Sequence, residues 1–311
     1  MTELENRLKE FRWKLLRKEI INGLHAGNII RISVMDENNH VRKFIYKEFS
    51  TGRKNEIEIY SKLLPILSSF VPVIKLWNME PEAILMEDLG TSLKKNFHQS
   101  TMEDKKITLL NILYTLSDLH STHQDLSTTT LPKHQMTTEW YDWCCMQLDK
   151  LSSLHLDWFQ YEWEGVMKSA SKLIYSNYEV KCPAVLTHGD PHLDNVFIKN
   201  DQSVCLIDWE WAALGSPLRD MTILLQDIYD IHLIRFVKEY YYKLLTEKGI
   251  HIEKENYLDD FNYLYMDHTF MMLAWEVEKH FKGFVSEKEI KHIIEFKIGQ
   301  IQNTVQDIFS Y

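Results

Sequence analysis

Residues 186–210 read LTHGDPHLDNVFIKNDQSVCLIDWE, and these 25 positions hold two histidines, five carboxylates and two asparagines. Asp190, Asn195 and Asp208 stand around what reads as a short hairpin. Pairing residues 196–199 with 204–207 across a turn at 200–203 sets Lys199 against Val204 and Val196 against Ile207. One step further, Asn195 faces Asp208, and directly opposed Cβ atoms lie roughly 5 Å apart, near enough to share an ion. An amide oxygen and a carboxylate are hard donors suited to magnesium, which takes few protein ligands and completes its shell with substrate phosphates. Asp190 falls on the loop entering the hairpin, where a carboxylate can accept the proton of a hydroxyl that faces a metal-bound phosphate. Each of these residues alone is an ordinary turn or cap residue. Together they point to phosphoryl transfer.

The spacing H-x-D-x-x-x-x-N, then a hairpin, then Asp is the catalytic-loop and metal-loop arrangement of protein-kinase-like phosphotransferases. Here it is His188, Asp190, Asn195 and Asp208. HGDPHLDN followed by IDWEWAALGSPLRD resembles the aminoglycoside phosphotransferase and choline kinase superfamily, and the resemblance extends over most of the chain. It implies an α+β, protein-kinase-like two-lobed fold, with a small β-rich N-lobe and a mainly helical C-lobe. By that resemblance Asp190 is the catalytic base, Asn195 and Asp208 bind magnesium, and ATP is the donor. Asp220, in LRDM, resembles an aspartate that braces the catalytic loop, and His188 resembles its packing histidine. His192 stands where protein kinases have lysine, in position to contact the transferred phosphoryl group. Glu210, in the IDWE form seen in these small-molecule kinases, is open to a metal, substrate or surface role. Two other readings of the segment are weaker. His188 and His192 as a transition-metal pair give way to the packing role, and the GDxxD of a metallophosphatase lacks its upstream D-x-H and downstream GNHD boxes.

A kinase-like fold needs a cation on its third strand for the α- and β-phosphates and a glutamate on the next helix to hold it. In VRKFIYKEF the favoured cation is Lys47, with Glu56 of KNEIEIY as partner; Lys43 and Glu58 are the alternatives one repeat away. ILMEDLG resembles the strand and hinge between lobes, where the backbone of Glu87 and Leu89 meets the adenine edge. The phosphate loop, GLHAGN, lacks G-x-G-x-x-G, so the expectation rests on Gly27 and Asn28, and GTP stays open as the nucleotide.

The elements that must position these residues follow from periodicity. Leu4, Leu8, Phe11, Leu15 and Leu16 are spaced as an amphipathic helix over 3–19. The runs on either side of DENNH read as a hairpin, GRKNEIEIYSKLLPIL as a helix, and VPVIKLW and AILMEDLG as strands. Beyond Gly90 the patterns are long and helical, so the chain divides into an N-lobe at 1–89 and a C-lobe at 90–311. Trp140, Trp143, Trp158 and Trp163, with Tyr141, Phe159 and Tyr161, fall in one helical stretch. They suit either helix packing or a cation–π cradle for an amine. Asp267, Met271 and Trp275, four apart, share a helix face that suits core or cleft.

With 35 basic and 45 acidic residues among 311, the net charge is −10. That argues against nucleic acid, whose phosphates need a basic face, and is compatible with a cationic or neutral small hydroxyl acceptor. The four cysteines form no CxxC pair, and no run reaches the ~18 apolar residues of a membrane span. A cytoplasmic location with reduced thiols and no membrane partner is expected. The alternative function is a kinase-like protein that binds or scaffolds without turnover.

Overall fold

A computed structural model describes residues 3–21, 28–49, 55–67, 69–122, 131–159, 163–199 and 201–309. The chain forms two compact units, one of Met1–Ser100 with Leu193–Ala212, the other of Thr101–His192 with Ala213–Tyr311.

The first unit opens with α1 (Glu3–Lys9), followed by β1 (Lys14–Ile21), β2 (Asn28–Met35) and β3 (Val41–Glu48). Then come α2 (Asn55–Leu67), β4 (Val73–Trp77), β5 (Ala83–Glu87) and α3 (Leu93–Phe97). The strands pair antiparallel in the order β1-β2-β3-β5-β4. Leu4 and Leu8 of α1 bury against Ile32, Val34, Phe44, Tyr46 and Leu85. At roughly 1.5–3 kcal/mol for each large side chain removed from water, this cluster holds the sheet's shape. The turn between β2 and β3 is set by Asp36, whose carboxylate accepts the N–H groups of Asn38 and His40 at 2.9 Å each.

The helix expected over 3–19 stops at Lys9. Arg12 takes a left-handed φ of 57°, after which the chain runs as a strand. Trp13 then stacks on Phe44 at 4.7 Å between ring centroids. β1 lies at the sheet edge with Leu16 47% and Ile20 74% exposed, so its leucines carried no strand alternation that could outcompete the helical spacing.

The second unit begins with α4 (Met102–His120), α5 (Glu139–Ser152), α6 (Trp163–Asn177) and β6 (Val185–Thr187). The chain re-enters the first unit with β7 (Val196–Ile198), β8 (Val204–Leu206) and a 3-10 turn at Trp209–Trp211. It finishes the second unit with β9 (Ala213–Gly215), α7 (Leu218–Leu224), α8 (Ile231–Glu247), α9 (Lys254–Phe281) and α10 (Glu287–Phe309). Its core joins α5, α6, α9 and α10, including Cys144, Leu148, Met167, Phe270, Leu273 and Ile294. Trp140, Tyr141, Trp143 and Trp158 pack against this core, and Phe159 and Trp163 lie within it. Trp143 meets Trp275 edge-on at 5.1 Å. Helix packing thus accounts for these aromatics; Tyr161 lies outside the described residues. All four cysteines are free thiols. Among the described residues no helix is long and apolar enough to cross a membrane.

Candidate active site

In the first unit, β3 carries Lys47 to a position only 9% exposed, and the first turn of α2 presents Glu56, 2% exposed. Lys47 Nζ donates to Glu56 Oε2 at 2.5 Å and to Asp208 Oδ1 at 2.7 Å. Lys43 and Glu58 are exposed. Burial alone would lower the lysine pKa, but the carboxylates of Glu56 and Asp208 override it and hold Lys47 well above its ordinary value. Burial also pushes Glu56 up to about 8, against the pull of Lys47 and with a further push from Asp208. An ammonium held between two carboxylates stays charged. Glu56 Oε1 is buried without a hydrogen-bond partner.

The hairpin that delivers Asp208 is tighter than expected. Val196 pairs with Leu206, Phe197 with Cys205 and Ile198 with Val204. Lys199 N–H donates to Ser203 O at 2.8 Å, and Gln202 takes a left-handed φ of 68°. This is the closure of a three-residue loop with a left-handed last residue, not the four-residue turn inferred from sequence. The register therefore differs by one residue. Ile207, not Asp208, stands opposite Asn195, its N–H donating to the Asn195 carbonyl at 3.1 Å. Asp208 leaves strand geometry altogether, at φ 67° and ψ 60°, a conformation aspartate tolerates better than most residues. The hairpin is pinned to the rest of the unit through Leu206 N–H to Phe70 O, 2.8 Å, and through Lys94 N–H to Leu193 O, 3.1 Å.

Asn195 is 6% exposed, whereas the Asp208 side chain keeps 38% of its surface open. A partly open carboxylate and an amide on the same hairpin fit a hard divalent cation that retains waters and phosphate ligands. At the end of β5, Glu87 is exposed and its N–H donates to Pro72 O at 2.9 Å. The Asp88 carboxylate receives Arg31 Nε at 2.8 Å and Gly90 N–H at 3.1 Å. The Leu89 N–H has no hydrogen-bond partner among the described residues. Asn28 starts β2 opposite Glu48, and Gly27 lies outside the described residues.

In the second unit, Asp190 follows β6 on a loop held from beneath. Asp220, fully buried in the first turn of α7, accepts the backbone N–H of His188 and of Gly189 at 2.8 Å each. Gly189 has φ 88°, the left-handed backbone glycine adopts without strain. His120 Nε2 approaches the same carboxylate at 3.0 Å, and its Nδ1 bonds Tyr241 OH. Burial would raise the Asp220 pKa, but His120, His188 and Arg219 outweigh it and hold it at about 2. His188 is fully buried and its Nδ1 accepts the Asp190 N–H at 3.1 Å, which fits packing rather than metal ligation. Asp190 projects partly exposed, with His192 Nε2 at 3.5 Å and Asp227, almost wholly buried, at 4.0 Å from His192 Nδ1.

The structure thus groups Lys47, Glu56 and Asp208, with Asn195 on the same hairpin, in one unit. Asp190 belongs to the other. Sequence reasoning missed His120, Tyr241 and Asp227. The terminal LSDLH of an apolar helix was the only trace of His120, and nothing marked the other two.

The family model described as the phosphotransferase enzyme family matches residues 37–248. No curated protein sequence matches the chain. Solved structures do. The choline kinase LicA from Streptococcus pneumoniae is 16% identical, with 99% of this chain and 98% of that chain covered and a TM-score of 0.59. The spectinomycin phosphotransferase APH(9)-Ia, in complex with ADP and spectinomycin, is 15% identical, with 98% of each chain covered and a TM-score of 0.66. A Plasmodium vivax ethanolamine kinase is 15% identical, with 95% and 83% covered and a TM-score of 0.53. The antiparallel five-stranded sheet, the mainly helical second unit and these neighbours give the expected protein-kinase-like fold. With more than half its length matched by the family model, the chain belongs to the phosphotransferase enzyme family.

Proposed function

We propose that this phosphotransferase moves the γ-phosphoryl group of ATP to a hydroxyl of a small molecule, with an amino alcohol, an aminoglycoside or a sugar as acceptor. The observation that carries the reading is the Lys47 ammonium held between Glu56 and Asp208 at 2.5 and 2.7 Å. A purely structural ion pair needs one carboxylate. A second, partly open one beside the same lysine suits a place where phosphates and a cation meet.

In this reading Lys47, braced by Glu56, holds the α- and β-phosphate oxygens. Asn195 and Asp208 offer the oxygens that would hold magnesium, which when bound neutralises charge on the β- and γ-phosphates. The Glu87 carbonyl and the Leu89 N–H face the adenine edge, and Gly27 and Asn28 are the residues assigned to phosphate contact. Asp190 accepts the acceptor hydroxyl's proton as the oxygen attacks phosphorus, while its loop is kept in place through Asp220. His192, beside Asp190, is the residue placed to contact the transferred phosphoryl group. Catalysis of this kind is mostly alignment and charge stabilisation. An N-lobe at 1–89, a C-lobe at 90–311 and a cytoplasmic location complete the proposal.

Choline, ethanolamine and spectinomycin are named with neighbours of this fold, and a net charge of −10 suits a cationic acceptor. ADP release from magnesium-ATP, measured with aminoglycosides, choline, ethanolamine and sugars, tests the reading. Acceptor-dependent release that disappears in Asp190→Asn supports it. ATP binding with no release above background for any acceptor favours the non-catalytic alternative.

A further inference from the structure

Three side chains that take no part in the chemistry above converge inside the second unit. His134 lies on the segment before α5, and Asp267 and His268 are neighbours on α9. A ligand-capable atom of each lies within 4.8 Å of the other two. Asp267 is 1% and His268 2% exposed, while His134 is half-buried.

The partners of these groups leave lone pairs over. Tyr175 OH donates to Asp267 Oδ1 at 2.5 Å, but Oδ2, equally buried, has no hydrogen-bond partner. A buried acceptor left without a donor costs about 1–3 kcal/mol, and more if it is charged. Thr222 Oγ1 lies 2.7 Å from the Leu218 carbonyl and 3.1 Å from the Arg219 carbonyl, and with its one hydrogen on either of them it acts towards His268 as an acceptor. His268 Nδ1, 2.8 Å away, therefore carries the proton and Nε2 carries the lone pair. His134 is anchored through its backbone, N–H to Leu214 O at 2.8 Å, and its ring centroid lies 6.0 Å from that of His268.

Burial lowers His134 to about 3 and His268 well below its ordinary value, so both rings are neutral. The nearby charges of Arg219 and Asp220 act on both rings in opposite senses. What remains is a donor set of two neutral imidazoles and the Asp267 carboxyl, which burial pushes up to about 7 against the pull of Tyr175 and Arg219 and whose second oxygen lacks a partner. Imidazole nitrogen with carboxylate oxygen is the set that suits zinc and similar first-row ions, rather than magnesium. Bonds of about 2.0–2.1 Å to one ion put tetrahedral ligand atoms roughly 3.3 Å apart. The three groups would close by about an ångström and a half at most from their 4.8 Å limit. The half-buried His134 provides both the movement and the route of entry.

We propose that His134, Asp267 and His268 form a binding site for a divalent transition-metal ion of the zinc type, which ties the segment before α5 to α9. Thr222 orients His268 and Tyr175 orients Asp267, the outer hydrogen bonds that a metal site uses to fix its ligands.

The test uses the full chain, stripped with a chelator, loaded with zinc and dialysed into metal-free buffer, with cobalt(II) as the spectroscopic probe and magnesium as control. The expected result is one zinc retained per chain, visible cobalt absorption of a nitrogen-oxygen site, and a higher melting temperature with zinc than with magnesium. His134→Gln and Asp267→Asn, both confirmed folded by circular dichroism, should each bind at least tenfold more weakly; His268→Gln serves if either fails to fold. Zinc that dialyses away from the wild-type chain would overturn the proposal. So would retention undiminished in both variants, or retention lost in Asp208→Asn instead, which would put the ion at the nucleotide end.

Discussion

The Lys47 ammonium lies 2.7 Å from the Asp208 carboxylate, although 161 residues separate them in the chain. The contact joins a strand of the sheet to the turn that follows the β7–β8 hairpin. It makes the charge state of the first unit depend on both residues and on Glu56 at once.

Asp208→Asn keeps the shape and removes the charge. Turnover should fall by at least ~10²–10³, the scale for losing one preorganised electrostatic group. Binding of magnesium-ATP, followed by calorimetry, should weaken more than binding of ATP without magnesium. Equal weakening in both conditions would place Asp208 outside the metal site.

Lys47→Met leaves Glu56 buried without its cation. Removing one partner of a buried pair costs about 3–5 kcal/mol, so the variant should unfold at lower denaturant concentration than wild type. The double variant Lys47→Met/Glu56→Gln should recover part of that loss without recovering nucleotide affinity. The partial rescue separates the structural pair from phosphate binding.

Asp220 gives the molecule a defined acid sensitivity. Its pKa is held at about 2, below the ordinary 3.8. A carboxyl with a lowered folded-state pKa contributes stability that is present above its unfolded value and lost as pH falls through the folded one. At 1.36 kcal/mol per unit, this amounts to about 2 kcal/mol, lost between roughly pH 4 and 2. Asp220→Asn would aim its amide N–H₂ at one of the two backbone N–H groups that the carboxylate now accepts. It should be destabilised near neutrality and show a flatter stability profile across that acid window, as read from urea melts at several pH values.

His192 lies 3.5 Å from Asp190 and 4.0 Å from Asp227. His192→Ala should lower kcat by about 10²-fold, the lower end of the scale for one positioned proton-transfer group, with nucleotide affinity unchanged. His192→Lys should restore part of the rate. A rise in KM alone would assign the histidine to acceptor binding instead.

The parts legible from sequence were those where a short motif lies on one element. HGDPHLDN fixed the loop of Asp190 because a five-residue spacing survives folding unchanged. Lys47 and Glu56 could be paired because a third strand and the next helix must meet, though only burial decides against Lys43 and Glu58. The register of Asn195 and Asp208 was not legible to one residue. It hangs on whether the hairpin closes on a left-handed Gln202, and no glycine there signals it. The edge strand β1 was hidden because a strand exposed on most of its residues has no alternation to read. His134 and Asp267 stand 133 positions apart in sequence, and nothing in either neighbourhood marks their approach. Asp227 and Tyr241 are likewise products of helix packing.

In the proposed reaction the γ-phosphoryl group ends on an acceptor hydroxyl and Asp190 takes the proton. ³¹P NMR of magnesium-ATP turned over with the best acceptor from the panel tests it directly. The predicted result is a new phosphomonoester resonance that grows as ADP forms and is at least ~10²-fold slower in Asp190→Asn. Inorganic phosphate as the only new product, or an Asp190→Asn rate equal to wild type, would contradict it.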